Sequence, residues 1–494
     1  MRLALPARSA LALAICTAVT FSGGPASPAA AAVTDPALAK KVASVMRDGR
    51  VQRADSGTVV LDAATGSELY GRNAARALTP ASNTKVLTAV AAMHTLGPAY
   101  RFRTEVIRRG AVSGGVLAGR LYLKGYGDPT SMVSDYRALA RSVRAAGIRR
   151  IDGTLAVDGS FFDSQRYNPA WRTSYASAYY AAQISALTVA PTTDYDSGTI
   201  VLTYRPGSRG SKAKISVSPA AAAAYVTINN RSTTSARGTS STIRAQRAWG
   251  TNTITVTGRV AVGRAGSSQW ITVDKPELYA GAVFRAELAK AGVTVRGSTK
   301  IIRTPAGGRV VVATDRSMTL SALLVPFLKL SNNMHAETLT KTMGTRAGRA
   351  GNWADGLAAT RAYLRSLGAP TAGLALADGS GLTRANRVSA RTLAGTLQRV
   401  QSRSWWPAFH AALPVAGVRD RMTGGTLRHR MNGTRAAGNA HAKTGTLTGV
   451  TSLSGYVRGR DGRRYVFAMI SEHGGSSPRP VENTLVVTLA NHRR

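Results

Sequence analysis

The stretch Thr79-Pro80-Ala81-Ser82-Asn83-Thr84-Lys85 decides the reading of this chain. Pro80 suits the first turn of a helix and Gly97-Pro98 ends it, which predicts a helix running to about Leu96. Ser82 then sits at a helix N-terminus, in the positive field of the dipole. Lys85 lies three residues on, so one turn of helix brings its amine to the Ser82 hydroxyl. A serine is a weak nucleophile at neutral pH without a base in reach. A lysine buried without a counter-charge has its pKa lowered and can be that base.

Two further motifs extend the pattern, Ser331-Asn332-Asn333 and Lys443-Thr444-Gly445. In the order S-x-x-K, S-x-N, K-T-G they form a set that assembles an acyl-transfer site around a serine. Each alone has a plain structural reading: a helix start with an exposed lysine, a turn or cap, a strand end. The ordered set, in fitting local structure, is what carries weight.

Composition sets the boundaries. Arg2 and Arg8, the short apolar run from Ala10 to Phe21 and Ala30-Ala31-Ala32 read as a secretory signal over residues 1–32, cleaved near Val33. An uncleaved anchor and a lipid on Cys16 are the alternatives. Cys16 is the single cysteine, so the mature chain is expected to hold no disulfide, no thiolate metal site and no cysteine nucleophile. No later stretch is long and apolar enough for a membrane span, so no transmembrane anchor is expected after signal cleavage. The expected location is secreted, extracytoplasmic or wall-associated. The seven histidines are scattered, and His335-Ala336-Glu337 lacks the second histidine of a zinc helix; neither a metal nor a cofactor is expected. The net charge of +41 favours anionic wall polymers or an outer lipid face. Nucleic acid is not expected, because the basic residues are scattered and no binding motif is present. A GC-rich genome is the plain alternative source of so much arginine.

The pattern along the chain gives an α/β (α+β) organisation. A helix is expected from Asp35 to Met46, then a hairpin of Thr58–Asp62 with a strand at Leu69-Tyr70. Ser331 follows Ser82 by far more than such a site needs. Arg103 to Val273 therefore reads as a β-rich insertion, with alternation such as Thr253-Ile254-Thr255-Val256-Thr257. Helices are expected at Pro276–Ala291, Ser317–Lys329 (kinked or interrupted at Pro326), Gly356–Leu367 and Ser389–Val400. From Lys443 one extended run reaches Val457, and a turn at Gly459–Gly462 returns through Tyr465–Ile470. A helix over Glu482–Asn491 closes the chain. The expected partition is a catalytic domain of residues 33–102 and 274–494 whose sheet joins the two ends, split by an inserted 103–273.

With these residues in hand, the chain resembles the penicillin-binding D-Ala-D-Ala carboxypeptidase/endopeptidase family, the low-molecular-mass class C penicillin-binding proteins. Gly125-Tyr126-Gly127-Asp128-Pro129, Ile184–Val189, Asp378-Gly379-Ser380-Gly381-Leu382 and Leu413–Gly417 add to the likeness. The resemblance implies a serine β-lactamase/penicillin-binding-protein-like catalytic domain, an antiparallel sheet flanked by helices, plus the large β-rich insertion. It implies that Ser82 attacks the terminal D-Ala-D-Ala bond of peptidoglycan stem peptides and that Lys85 takes its proton. Ser331 would relay a proton to the leaving amine, and Asn333 would hold the substrate amide. Lys443 would supply positive field, with Thr444 and Thr446, flanking Gly445, gripping the C-terminal carboxylate. Backbone N–H groups of Ser82 and Thr446 would form the oxyanion hole. β-Lactams would act as inhibitors through a slow acyl-enzyme.

Other readings of the same residues stay open. Asn332 and Asn333 also read as helix caps, Thr446 as an ordinary strand residue, and Asp378 as a turn residue. Trp171, Tyr175, Tyr179 and Tyr180 either wall the pocket or pack in the core. No acidic residue in that stretch offers itself to a substrate amine. A serine β-lactamase shares the motifs but needs a second base; Glu337 is close to Asn333, and no Glu-x-x-Leu-Asn loop follows. An inactive, basic wall-binding protein is the remaining alternative.

Overall fold

The computed structural model describes residues 34–493. The signal peptide expected at 1–32, with Cys16, lies outside them. Two strand-forming stretches at opposite ends of the chain build the central sheet. Its order is Glu68–Arg72, Asp55–Asp62, Arg464–Glu472, Val450–Arg458, His441–Leu447, and every neighbouring pair is antiparallel. Asp55–Asp62 pairs directly with Arg464–Glu472, from Asp55 opposite Glu472 to Asp62 opposite Tyr465. The expected joining of the two chain ends is thus what the sheet does.

Alternation along these strands sends side chains to two cores. Val59, Leu61, Val466, Ala468 and Ile470 face the larger one, with the helices Thr84–Thr95 and Asn333–Gly344. Val60, Leu453, Phe467 and Met469 face the other, against Leu38 and Val42 of Pro36–Val45 and Val481, Leu485 and Val486 of Arg479–Asn491. Thr84 through Met93 are all buried, as are Met334 through Gly344. Helices buried all round sit in the middle of a core, so whatever chemistry they carry is held by packing on every side.

The inserted segment forms its own sheets. The largest has the order Thr299–Ile301, Leu155–Asp158, Arg120–Gly125, Arg101–Arg109, Val310–Thr319. Its membership differs from the expected partition at both ends. Arg101–Arg109 already belongs to it, and so do Thr299–Ile301 and Val310–Thr319. The helix Pro276–Lys290 packs on it as well: a Cβ on Gly281 would lie 2.7 Å from Val157 Cγ1. The helix that follows, Leu320–Lys329, packs in the larger core through Leu320, Leu323, Leu324, Phe327 and Leu328. Ser317–Thr319, expected in a helix, ends a strand, and the helix Leu320–Lys329 runs through Pro326 without interruption. The extended run from Lys443 is two strands, not one, because Thr448-Gly449 turns between them with Gly449 at φ 70°. The helix Trp406–Ala412 had no sequence expectation.

Candidate active site

Ser82 lies on a single 3-10 turn, Ala81–Asn83, and the α-helix begins at Thr84, one turn later than the sequence suggests. Ala81 is left-handed, at φ 47°, a conformation that costs an L-residue about 1–3 kcal/mol and persists only where its surroundings fix it. Two things fix it. Gly381, at φ 80°, packs so closely that a Cβ there would overlap Ala81 O. Asn83 bolts the turn to the sheet: its Nδ2 donates to Ser452 Oγ (2.6 Å) and its Oδ1 accepts from Ser454 Oγ (2.5 Å). Ser452 Oγ in turn donates to Pro80 O at 2.6 Å.

Lys85 is fully buried. Its Nζ donates to Asn333 Oδ1 (2.6 Å) and Ser380 O (2.8 Å), and lies 2.9 Å from Ser82 Oγ. Burial lowers it to about 7, outweighing the opposing charges of Asp378 and Glu337. A neutral amine has two N–H bonds for Asn333 and Ser380, which leaves its lone pair for the Ser82 proton. This is an arrangement in which an amine can act as base toward a serine hydroxyl.

Lys443 is also buried, and burial together with the charge of Lys85 holds it well below its ordinary value. Its Nζ donates to Ser331 Oγ (2.7 Å) and Thr444 O (2.7 Å). Ser331 is a second left-handed non-glycine residue, at φ 59°. Gly445 lets the edge strand pass the nucleophile turn, because a Cβ there would overlap Ser452 Oγ and lie 2.7 Å from Pro80 O and 3.1 Å from Ser82 N. Thr444 Oγ1 donates to Thr426 Oγ1 (2.8 Å), and Thr446 Oγ1 accepts from Arg479 (3.2 Å).

The side chains of Ser82, Ser331, Asn333, Thr444 and Thr446 line one open cleft of about 440 Å3. Lys85 and Lys443 reach it from below through the serines they bond. Tyr175, Tyr179 and Tyr180 of the inserted segment form one wall, and Asn333 Nδ2 donates to Tyr180 O at 2.8 Å. Trp171 is different: it is buried, with Nε1 on Asp378 Oδ2 (2.9 Å).

The two asparagines divide the readings left open for them. Asn332 caps its helix, accepting from His335 N at 3.2 Å, and its Nδ2 holds the loop carrying Asp194, Tyr195 and Asp196. Asn333 makes no cap and faces Lys85. Asp378 is a turn residue: its carboxylate accepts from Gly381 N, Thr383 N and Asn386 Nδ2, each at 2.8 Å. Glu337 is fully buried and pushed up by burial; it accepts from Trp353 Nε1, Gly379 N and Ser380 N. Those bonds hold the loop whose Ser380 carbonyl meets Lys85.

Sequence reasoning missed Ser380 O, Thr426, Arg479 and Arg384, the one cation among the described residues that lines the cleft itself. Arg384 follows Asp378–Leu382 by two residues, which was a usable signal. Thr426 and Arg479 had none.

Comparison with known proteins gives the family and the fold. The model of the D-Ala-D-Ala carboxypeptidase 3 (S13) family matches residues 38–492. A D-alanyl-D-alanine carboxypeptidase of Actinomadura sp. (strain R39) is 41% identical over 457 residues, 92% of this chain and 85% of that protein. Penicillin binding protein 4 (dacB) of Haemophilus influenzae has a crystal structure that matches 91% of this chain and 99% of its own, with a TM-score of 0.79 at 23% identity. The same protein complexed with a β-lactam matches with a TM-score of 0.73 at 22% identity. At these identities the two structures speak for the fold. With the family match running from the first described helix to just past the last, the chain belongs to the D-Ala-D-Ala carboxypeptidase 3 (S13) family.

Proposed function

We infer that the protein is a serine-type D-Ala-D-Ala carboxypeptidase of peptidoglycan stem peptides, acylated by β-lactams on Ser82. The observation that carries this is the Lys85 amine, buried, lowered to about 7 and 2.9 Å from Ser82 Oγ. Lys85 takes the hydroxyl proton as Ser82 Oγ bonds to the carbonyl carbon of the penultimate D-Ala. The oxyanion is met by the N–H groups of Ser82 and Thr446, the edge strand being open on the cleft side. Ser331, bonded to Lys443, relays the proton held on Lys85 to the departing D-Ala nitrogen, so the peptide bond breaks and Lys85 is neutral again. Asn333 orients the peptide amide, and Thr444 and Thr446 receive the C-terminal carboxylate above the buried Lys443. Water then cleaves the ester and restores Ser82. Endopeptidase cleavage uses the same acyl-enzyme, with a neighbouring stem as the leaving amine.

A β-lactamase needs a free base for deacylation. The two carboxylates whose charge reaches Lys85 are both committed, Glu337 to Trp353, Gly379 and Ser380 and Asp378 to Gly381, Thr383 and Asn386, which favours the peptidase reading.

We place the functional partition at residues 34–98 and 320–493 for catalysis, with the segment between them contributing the tyrosine wall. The protein acts outside the cytoplasmic membrane; among the described residues no helix is long and apolar enough to cross one. Without Arg2 and Arg8 of the expected signal its charge is 41 − 2 = +39, which suits anionic wall polymers. High salt then releases it from wall preparations, whereas retention unchanged by salt contradicts that attachment.

The test of function is D-alanine release from an N-acylated tripeptide ending in D-Ala-D-Ala. Release that stops after preincubation with penicillin is expected. No release from folded protein, or release indifferent to penicillin, contradicts the reading.

A further inference from the structure

Among the described residues only three large aromatic side chains are exposed: Tyr179 (47%), Tyr180 (36%) and Trp249 (52%). All belong to the inserted segment, and they lie along one ribbon of rings. Tyr179 meets Tyr180 edge-on at 5.5 Å, and Tyr180 meets Tyr175 at 5.9 Å. Tyr167 and Trp249 meet at 5.0 Å, 81° apart. The two pairs are stitched at one carbonyl: Arg172 O accepts from Tyr167 OH (2.8 Å) and from Tyr175 N (3.0 Å). The ribbon starts in the cleft, which Tyr175, Tyr179 and Tyr180 line, and leaves it toward Trp249, which does not line it.

Three properties narrow what it binds. An edge-to-face pair covers only one face of one ring, and Tyr179, Tyr180 and Trp249 keep a third to a half of their surface exposed. The rings are fixed from behind, since Tyr167 packs at 90° on the buried Trp171, itself tied to Asp378. The surface between the pairs is polar, with Arg172, Thr173 and Ser174 exposed. Rigid open aromatic faces beside hydroxyls and a guanidinium fit a pyranose, which has flat C–H faces and a polar rim. The substrate inferred above carries such sugars. A five-residue stem, fully extended, spans at most about 17 Å, so with its D-Ala end at Ser82 the attached sugar must lie close to the cleft mouth.

We propose that this ribbon is a glycan subsite, stacking the amino-sugar backbone to which the stem peptide is joined. It rests on the carboxypeptidase reading and extends it from the peptide to the polymer.

The test compares D-alanine release from a pentapeptide ending in D-Ala-D-Ala with release from the same peptide bearing a GlcNAc-MurNAc disaccharide. The wild type, Trp249→Ala and Trp249→Phe are assayed, and penicillin acylation is measured on each. In the wild type the disaccharide raises kcat/KM about five- to tenfold through KM, the size of one ring contact. Trp249→Ala removes the gain but leaves bare-pentapeptide turnover and penicillin acylation unchanged, and Trp249→Phe keeps part of it. Equal rates on the two substrates in the wild type, or a gain that survives Trp249→Ala, overturns the subsite while the carboxypeptidase reading stands. A wild type that neither releases D-alanine nor takes up penicillin overturns both.

Discussion

Lys85, under the cleft, exposes nothing to solvent and is bonded to Ser82, Asn333 and Ser380. Tyr179, on the wall, is 47% exposed and meets its neighbour Tyr180 edge-on. The first region comes from core helices and a central sheet, and its groups are held in high-energy states by packing: a lysine near pH 7, two left-handed non-glycine residues. The second comes from an insertion and is held at its base alone. Reacting groups need fixed geometry and a dry setting, which an interior supplies. Selection among substrates needs reach and open surface, which an insertion supplies. The difference teaches that substitutions below the cleft should change the rate of acylation, and substitutions on the wall should change which substrates arrive.

The sharpest way to break this comparison is Lys85→Met, which keeps the volume and removes the base. Acylation by penicillin should fall about 10²–10⁴-fold, read from the rate of adduct formation. The same variant tests the energetics. Lys85 binds its proton more weakly in the folded chain than unfolded, so its contribution to stability rises with pH between about 7 and 10.5. Denaturant unfolding of Lys85→Met should show a flatter pH dependence across that window.

The wild-type acylation rate should rise with pH through about 7, tracking neutral Lys85, and fall about tenfold per unit below it. A flat profile from pH 5.5 to 8.5 would break the assignment of Lys85 as base.

Gly445→Ala should cost about 1–3 kcal/mol of stability, because the new Cβ meets Pro80 O and Ser452 Oγ. It should slow acylation as well, since the displaced atoms carry the nucleophile turn. Thermal unfolding and adduct rate read the two effects. On the wall, Tyr179→Ala should raise KM for peptides a few-fold, leave penicillin acylation within about threefold, and change stability by no more than about 0.5 kcal/mol. An effect on acylation as large as that of Gly445→Ala would erase the distinction between the two regions.

The site was legible because its chemistry is written in short spacings. S-x-x-K works through one helical turn, a local fact, whereas the packing of Gly445 on that turn joins distant parts of the chain and only its motif was legible. The sheet joining the chain ends was legible from strand patterns at each terminus. What could not be read depends on contacts far apart in sequence. Ser380 meets Lys85 through a backbone carbonyl, which any residue could supply, and Thr426 becomes part of the cleft only when a distant loop folds against Thr444. The turn at Thr448-Gly449 was hidden because strand-forming residues flank it without a break. Val310–Thr319 was obscured by the apolar helix that follows at once, and with it the point where the chain re-enters the catalytic body. The left-handed Ala81 and Ser331 carry no sequence mark.

The central claim is that Ser82 is the acylated nucleophile, and intact mass after incubation with penicillin tests it most directly. The wild type should gain one penicillin mass and the folded Ser82→Ala variant none. An adduct of equal yield on Ser82→Ala, or no adduct on the folded wild type, would contradict the account.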